Sequence, residues 1–466
     1  MFTPLRLTPS GVVLSSRTWV PAMVTWRGTP EGVVTHNHIE WYSRLAAGQP
    51  GVLVVEATGI RDVPSGPLLR INDDAFIPGL AELVRAVRAA SGGATRVLLQ
   101  VIDFLRVRRR PTPARFFAEY LVITTEHKRA LALPLDAPEH EVRTRLAALP
   151  ASEMQAVLTA RECEALWFGE RETVNDTHLP HIRELPILLP HAFARAAQRA
   201  QAAGFDGVEL HFAHAYTMAS FLSPLNRRND GYGGSLANRL RLPLEVFAAV
   251  RAATPLPFLV GARMLAAECI PGGFDEAEAR QMGVAFAQAG FDFLSLSRGG
   301  KFEDARQPPI GKAAYPYTGA SGAECIPPAW LRKRGQGSPE GRNLVASAHV
   351  RAAVRAAGLG MPIVAAGGLH TVMAAEAAIA NEKADIIASA RQSLADPLWL
   401  KKAREGRSHE IRRCTLSNYC EGLDQMHKVV TCKLWDRRPL QPGEPRDERD
   451  GRALLPPLEE RAQNTA

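Results

Sequence analysis

The sequence predicts an α/β fold of the (β/α)8 TIM-barrel type. Short apolar, β-branched runs alternate with segments of helical periodicity along most of the 466 residues. The runs are almost continuously apolar, which is typical of parallel strands whose outer face is covered by helices. Eight strand-helix repeats are the number that closes such a barrel. An open doubly wound sheet is the alternative, but its glycine-rich dinucleotide fingerprint is missing after the first strand.

Each strand is predicted from a buried apolar run, and each helix from the periodic segment that follows it. The predicted strands are 18–24, 51–58, 95–102, 206–211, 257–264, 292–297, 362–366 and 384–388. The predicted helices are 35–47, 79–91, 190–203, 236–252, 275–289, 345–357, 372–381 and 396–405. This order assigns residues 1–405 to the barrel.

Two connections are much longer than those between ordinary barrel elements. Residues 107–189 follow the third strand, and helical patches near 114–120 and 138–165 predict a lid-like inserted subdomain. Residues 298–343 follow the sixth strand, are rich in Gly and Pro, and contain the segment 315–319 (YPYTG). Because both insertions follow barrel strands, we expect both to project over the catalytic face.

Residues 406–466 are predicted to be a C-terminal extension with a cysteine-containing segment and a charged tail. After about residue 434 the chain is rich in Pro, Arg and Glu. This composition is typical of chain that packs loosely or stays disordered.

Composition narrows the class of protein. An apolar content of 46% and a charged content of 22% are those of a soluble globular protein. The sequence shows no signal-peptide core and no run of membrane-spanning length, and six cysteines are too few for a disulfide scaffold. We therefore expect a reducing, cytoplasmic setting and no membrane partner. The sequence leaves open whether the chain forms a homo-oligomer.

The net charge of +8 comes mainly from scattered arginines. No nucleic-acid motif or interleaved aromatic pattern accompanies it, so we expect a small-molecule substrate rather than DNA or RNA. The densest basic cluster lies at 106–110 (RVRRR). It is interpreted either as a solvated loop or as a patch that attracts an anion such as a phosphorylated nicotinamide cofactor.

Residues 204–241 carry the most chemically active set of side chains. The predicted strand 206–211 runs directly into His211, His214 and Tyr216. Proton-carrying side chains at the exit of a buried strand lower stability and favour function. A histidine pair alone is as often structural or metal-binding as catalytic. However, a zinc site would need a third ligand, and no HExxH pattern is present.

Polar residues and glycines recur at the ends of other predicted strands, where barrels of this class place their active sites. They are Gln100, Arg263, Gly367, Gly368 and Arg391, and Ala390 directly precedes Arg391 at the end of the eighth strand. Flavin mononucleotide (FMN) suits them. The glycine backbone and Arg391 would bind its phosphate, and the Gln100 amide would match its pyrimidine edge. Arg263 would stabilise negative charge on the reduced ring. Taken singly, the glycines could form only a tight turn and Arg263 only a rim ion pair.

The stretch 204–241 resembles the old yellow enzyme family of flavin-dependent oxidoreductases. In that family a strand-end His-x-Ala-His/Asn-x-Tyr group faces the flavin, and His211-Phe-Ala-His214-Ala-Tyr216 matches it. The resemblance extends over roughly residues 2–435, excluding much of 107–189. It implies FMN contacts from the strand-end residues above and from the backbones of Ala22, Met23 and Ala57.

The resemblance also implies an activity. NAD(P)H would donate hydride to flavin N5, and the flavin would pass it to the β-carbon of an electron-poor alkene. His211 and His214 would hold the substrate oxygen, and Tyr216 would protonate the α-carbon, since a phenol is protonated at neutral pH. Two alternatives stay open: a flavin-dependent amine dehydrogenase or demethylase that passes electrons to an external acceptor, and a non-catalytic flavin-binding protein.

Three single residues depart from the family pattern. Val24 stands where a polar residue is common near the flavin, although Thr25 could substitute if the strand shifts by one residue. Asp103 replaces a frequent His, and Ala390 replaces a usual Gly. For Val24 we expect altered flavin redox tuning rather than lost binding. Asp103 bears on how the insertion docks, and an ordinary helix-start geometry would tolerate Ala390.

The cysteine segment departs further. Cys414-Thr-Leu-Ser417-Asn-Tyr-Cys420, followed by eleven residues and Cys432, resembles the iron–sulfur segment of the branch with 2,4-dienoyl-CoA reductase and trimethylamine dehydrogenase. There four cysteines hold a [4Fe–4S] cluster. Ser417 stands where the second cysteine belongs, and the gap before Cys420 is one residue short. We therefore do not expect an intact cluster, and Cys414, Cys420 and Cys432 are its only candidate ligands.

That branch carries further C-terminal nucleotide-binding domains, for which the 466 residues leave no room. We therefore expect the nicotinamide reductant to reach the flavin directly, in alternation with the oxidant.

Overall fold

The computed structural model describes residues 1–63, 68–109, 112–167, 169–269, 272–299, 340–440 and 443–458. Within them, eight strands form a closed barrel in which neighbours run parallel. They are β1 Thr18–Val20, β2 Val52–Gly59, β3 Arg96–Ile102, β4 Gly207–Phe212, β5 Leu259–Leu265, β6 Leu294–Ser297, β7 Ile363–Ala366 and β8 Ile386–Ala388. The pairing of β8 with β1 closes the circle. The predicted (β/α)8 class is confirmed, and each predicted strand overlaps an observed one.

Helices follow the strands in the predicted order. They are α1 His36–Ala46, α2 Ile77–Ala90, α3 Leu185–Ala202, α4 Leu236–Ala253, α5 Glu276–Ala289, α6 Leu344–Ala356, α7 Val372–Ala380 and α8 Trp399–Arg404. Several begin at a side chain that accepts a hydrogen bond from the first turn, as Ser235 does for α4 and Asp275 for α5. These caps satisfy backbone donors that the helix itself leaves unpaired.

The predicted helix 396–405 is wrong at its start. Residues of this region form two short helices, Ala390–Ala395 and α8. Asp396 between them has an extended backbone and precedes Pro397. A residue before proline avoids the helical conformation, so the chain breaks there.

The barrel is filled by large apolar side chains from opposite strands. Trp19, Val54, Leu98, Leu259 and Phe293 share one buried cluster. Gly261 makes this packing possible, because a Cβ atom there would lie 2.4 Å from the Phe293 ring. A hairpin before the barrel, Leu5–Arg6 paired antiparallel with Val13–Leu14, adds Leu14 to this cluster. The sequence analysis did not identify this hairpin.

Residues 105–173 form a second compact unit. Val107–Arg109 pairs antiparallel with Gly169–Arg171. Its helices are Pro113–Arg115, which continues into a π-helical turn Phe116–Tyr120, then Thr125–Ala130, Glu139–Ala148, Ala151–Val157 and Ala160–Trp167. Phe116, Phe117, Val142, Leu146 and Leu166 are among the residues of its own buried core.

The predicted insertion 107–189 extends too far at its C-terminal end. Residues from Val174 onward, including a short helix Pro180–Arg183, belong to the barrel unit. The buried Arg228 side chain explains this boundary. Its Nη1 donates hydrogen bonds to the carbonyl oxygens of Val174 and Ile182, at 2.9 and 3.0 Å.

The predicted loose tail is also wrong for the described residues up to 458, which belong to the barrel unit. Trp435 is 2% exposed and its Nε1 donates to the Leu394 carbonyl oxygen at 2.9 Å. Arg452 is buried and forms ion pairs with Asp447 and Asp450 at 3.0 and 2.9 Å. Charged residues that pair with each other across a turn can be buried, and composition alone does not reveal that pairing.

Two further observations complete the fold. Among the described helices, none is both long and apolar enough to cross a membrane. The segment 315–319 and most of the predicted insertion 298–343 lie outside the described residues.

Candidate functional site

The predicted histidine pair lies at the carboxyl end of β4. His211 is on the strand itself, 4% exposed, and opposite Arg263 of β5 in the strand register. His214 and Ala215 follow with φ angles of 61° and 60°. Two successive left-handed residues other than glycine are uncommon, and such strain is concentrated at functional sites. This bend carries His214 back toward His211.

The two imidazoles and one hydroxyl form a continuous chain. His211 Nε2 lies 3.3 Å from His214 Nδ1, and His214 Nε2 lies 2.8 Å from Ser297 Oγ. Ser297 is the last residue of β6 and is 8% exposed. Ser297 was not among the predicted site residues, although its position at the end of a predicted strand is the same signal that identifies Gln100 and Arg263.

His211 is held in its neutral form. Burial, followed by the positive charge of Arg263, lowers its pKa to about 3. Its Nδ1 is buried and has no hydrogen-bond partner among the described residues. Because an unpartnered buried N–H is more costly than an unpartnered acceptor, we assign the proton to Nε2, the nitrogen that faces His214.

Tyr216 lies beside the pair at the start of a short helix, Thr217–Leu222. Its ring centroid is 5.6 Å from that of His211, and its ring is nearly perpendicular to Phe104 at a centroid distance of 5.3 Å. Thr217 Oγ1 donates to the Asp103 carbonyl oxygen at 3.1 Å, which connects this helix to the end of β3. The phenol and both imidazoles therefore come together, as the sequence predicts.

Asp103, one of the departures from the family pattern, is buried in an ion pair. Its carboxylate accepts two hydrogen bonds from Arg61, one of them 2.9 Å long from Nη2. The negative charge of Asp103, which stands where the family often has a histidine, is therefore neutralised by Arg61 of the same barrel unit.

Gln100 has a fixed amide orientation. Its Nε2 donates to Glu209 Oε1 at 2.6 Å, and the two residues are opposite each other on β3 and β4. Burial raises the pKa of Glu209, while Arg263 and the Gln100 bond lower it. Glu209 Oε2 has no hydrogen-bond partner in the described part of the chain. Glu209 was not among the predicted site residues, although a carboxylate inside the apolar run GVELH is a visible signal.

The predicted phosphate-binding residues lie on the loops after β7 and β8, which are neighbours in register at Ala366 and Ala388. Gly367 and Gly368 have φ angles of 118° and 72°. A Cβ atom at Gly367 would lie 2.7 Å from Asn343 Nδ2, so glycine is required there.

Ala390 and Arg391 begin the helix Ala390–Ala395. Ala390 has no left-handed φ, so alanine replaces the usual glycine without strain. The Ser389 hydroxyl donates to the Leu369 carbonyl oxygen, which ties this loop to the glycine loop. Arg391 Nη1 donates to Asn418 Oδ1.

Ala22 and Met23 follow β1, and Ala57 lies on β2 near its end. Ala22 packs against the barrel core, and Ala57 is buried on β2. The pairing of β2 with β3 shifts between Val55 and Thr58. Ala57 therefore lies where the ladder is interrupted, which leaves its backbone groups accessible for other partners.

Two of the thiols in the cysteine segment are held in the protonated form. Burial raises the pKa of Cys420 to about 12 and that of Cys432 to about 11. Cys414 accepts a hydrogen bond from Leu416 N at 3.4 Å. Within the described ranges, no three His, Cys, Asp or Glu side chains are arranged to hold one metal ion.

The donor set at this face suits FMN. Left-handed glycines allow a phosphate to approach the backbone closely, and a guanidinium starts the neighbouring helix. A fixed amide and Arg263 suit the pyrimidine edge of a flavin. The unpartnered buried atoms of His211 and Glu209 indicate polar groups that a polar ligand nearby would help to satisfy.

A model of the NADH:flavin oxidoreductase / NADH oxidase family matches residues 188–313 and 332–410. Over these two stretches, which make up less than half of the chain, the chain is similar to this family, in agreement with its resemblance to the old yellow enzymes. The NADH oxidase of Thermoanaerobacter brockii is 28% identical over 412 residues, which cover 87% of this chain and 51% of that protein. The NADPH dehydrogenase of Bacillus licheniformis is 27% identical, over 86% of this chain and 93% of that protein.

The chain spans less than two thirds of the length of several relatives, including about half of the T. brockii protein. Among solved structures, a 2-naphthoyl-CoA reductase complex aligns with a TM-score of 0.65 at 19% identity, covering 93% of this chain and 56% of that chain. An old yellow enzyme homologue from Zymomonas mobilis aligns with a TM-score of 0.57 at 19% identity, covering 94% and 99%. At this identity the likeness concerns the fold.

Proposed function

We propose that this chain is an FMN-dependent oxidoreductase that uses NAD(P)H to reduce an activated alkene, such as an α,β-unsaturated carbonyl compound. The observation that carries the proposal is the approach of His211 Nε2 to His214 Nδ1 at 3.3 Å, with Tyr216 beside them. Bound FMN would supply hydride transfer from its N5 atom. The similarity to the NADH:flavin oxidoreductase / NADH oxidase family supports the cofactor, and the site supports the substrate class.

The residues that would hold FMN come from separate strands. Gln100 and Arg263 would bind the pyrimidine edge, and Ala22, Met23 and Ala57 would contribute backbone contacts. The phosphate would be bound by Gly367, Gly368, Ala390 and Arg391.

The histidine pair would act on the substrate oxygen. Two nitrogens 3.3 Å apart can both donate to one oxygen atom, provided that each carries a proton. In the neutral form, His214 donates from Nδ1 only if its Nε2 accepts, and Ser297 Oγ, at 2.8 Å, can donate to that atom. Two donors aimed at a developing enolate form an oxyanion hole, where each donor is worth about 10²-fold or more in rate.

Tyr216 would complete the reaction by protonating the α-carbon. Its ring centroid lies 5.6 Å from that of His211, so the phenol would stand beside the substrate oxygen. The ring is fixed by its perpendicular contact with Phe104. NAD(P)H would bind at the same site before the alkene does. The substrate is proposed to be a small molecule, and the location of the protein is proposed to be cytoplasmic.

An anaerobic two-step experiment tests the proposal. The purified protein, supplemented with FMN, is mixed with NADH and separately with NADPH while its visible flavin absorption is followed. We expect at least one to bleach the flavin and cyclohexenone to restore the colour. Failure of both nicotinamides to bleach a bound flavin would favour a non-catalytic flavin-binding protein.

A second candidate is an amine dehydrogenase or demethylase that passes electrons to an external acceptor. It is favoured by a probable N-methylproline demethylase of Rhizobium meliloti that is 34% identical over 238 residues, covering 51% of this chain and 31% of that protein. The cysteine segment would then carry iron. Stoichiometric iron and acid-labile sulfide in protein purified without air, together with bleaching by an N-methylated tertiary amine such as N-methylproline, would support this candidate.

A further inference from the structure

The cysteine segment docks on the helix that carries the predicted phosphate ligand. Arg391 Nη1 donates to Asn418 Oδ1. The neighbouring Gln392 side chain contacts the segment at two backbone groups. It donates from Nε2 to the Arg412 carbonyl oxygen and accepts at Oε1 from Cys414 N, both at 2.9 Å. Two successive residues of the helix therefore hold this segment in one register.

The backbone of the segment is shaped to present Asn418. Asn418 has φ 56° and ψ 18°, in the left-handed region, and Leu416 has φ 54°. Asparagine is one of the few residues with a side chain that adopt the left-handed conformation readily. The left-handed backbone of Asn418, immediately before the helix Tyr419–Gln425, lets its side chain meet Arg391.

We propose that Asn418 is a positioning residue for the FMN phosphate, acting through Arg391. A guanidinium is planar and has five N–H donors, so an acceptor at one edge fixes the plane and leaves the other edge free to bind phosphate. The inference rests on the proposed function, because it takes Arg391 as the phosphate ligand. The segment that resembles an iron–sulfur loop thereby serves to retain the flavin.

The neutral character of the Asn418 amide is part of the argument. A carboxylate at this position would accept the same hydrogen bond, but its charge would oppose that of the phosphate next to Arg391. An amide orients the guanidinium and leaves its full positive charge for the ligand. A residue with a merely structural role would tolerate aspartate, which is also favoured in left-handed conformations.

The experiment compares FMN with riboflavin, which lacks the phosphate. The full chain is freed of bound flavin, and dissociation constants for both flavins are measured by fluorescence quenching. The variants are Asn418→Gly, which keeps the left-handed backbone, and Asn418→Asp, which keeps the acceptor. Leu416→Gly is the matched control, since it changes a left-handed residue of the same segment without touching Arg391.

We expect both Asn418 variants to weaken FMN binding roughly tenfold, as for loss of a hydrogen bond to a charged group, while riboflavin binding changes by less than about twofold. Leu416→Gly should leave the ratio of the two constants unchanged. In an Arg391→Ala background, Asn418→Gly should have no additional effect on FMN, since the two residues act as one unit.

Unchanged FMN affinity in Asn418→Gly, or an equal loss of FMN and riboflavin affinity, would overturn the inference and leave the proposed function intact. If the unsubstituted protein bound neither flavin, the proposed function would fail, and the inference with it.

Discussion

Burial sets the protonation state of His211, and this has a consequence for stability. Its folded pKa of about 3 lies below the ordinary value of 6.5. Above pH 6.5 the residue is neutral in both folded and unfolded chains and has no effect. As the pH falls from about 6.5 toward 3, the unfolded chain binds a proton that the folded one does not, so the free energy of unfolding decreases.

We therefore expect His211→Gln to reduce the acid sensitivity of the fold. The unsubstituted protein should lose up to about 1.4 kcal/mol per pH unit relative to the variant below about pH 6. Urea unfolding of the flavin-free proteins at pH 7, 6, 5 and 4 measures this difference. If the free energy of unfolding had the same pH dependence in both proteins, His211 would titrate normally in the folded chain.

Tyr216 can be tested by separating the two half-reactions. Tyr216→Phe should slow alkene reduction by about 10²-fold or more, the usual contribution of a general acid. Flavin reduction by the nicotinamide needs no proton from this residue and should stay within about twofold. Anaerobic stopped-flow absorption measures both steps, and equal slowing of both would contradict the proton-donor role.

Ser297 is predicted to control which nitrogen of His214 carries the proton. Ser297→Ala removes the hydroxyl that can donate to His214 Nε2, so a phenolic ligand held by the histidine pair should bind about tenfold more weakly. Ser297→Thr retains the hydroxyl and is the control. Spectral titration of the bound flavin with para-hydroxybenzaldehyde measures the affinity. Equal affinity in all three proteins would mean that Ser297 does not act on the pair.

Strands and helices were predictable where local patterns decide them. The eight apolar runs all became barrel strands, although β1 ends at Val20 rather than at residue 24. Pro21 follows directly, and a proline has no N–H to continue the ladder. A different effect of proline, the conformational restriction on the preceding Asp396, explains the break before α8. In both places periodicity identifies the element, and the backbone chemistry of one residue sets its end.

Contacts between distant elements were not predictable in this way. Ser297 meets His214 across 83 positions of sequence, and Arg228 holds residue 174 from a different loop. Such pairings follow from closure of the barrel. The family resemblance identified His211, His214 and Tyr216 together, because it carries long-range information that composition lacks.

The C-terminal segment provides a prediction at the level of elements. Arg452 is 1% exposed and pairs with Asp447 and Asp450. Arg452→Met should lower the free energy of unfolding by about 3 kcal/mol, because it leaves partly buried carboxylates unpaired. Arg449→Met, at an exposed position nearby, should change it by less than about 0.5 kcal/mol. Denaturant unfolding measures both, and similar effects of the two substitutions would contradict the docked arrangement of residues 443–458.

At the scale of the whole molecule, the proposal depends on whether residues from separate strands come together at one cofactor site. The residues assigned to the cofactor leave different strands of one closed barrel, so the parallel arrangement brings their loops to the same face. The barrel supplies positions rather than chemistry, and relatives on this fold include proteins named as oxidases, dehydrogenases and demethylases. The chemistry of this chain therefore depends on the side chains at that face.

The most direct measurement is the flavin content of the purified full chain after incubation with excess FMN and removal of the unbound fraction. The account predicts a yellow protein with close to one FMN per chain, and a large loss of FMN in Arg391→Ala. A protein that stays colourless at every FMN concentration tried would contradict the claim that these strand ends form a flavin site.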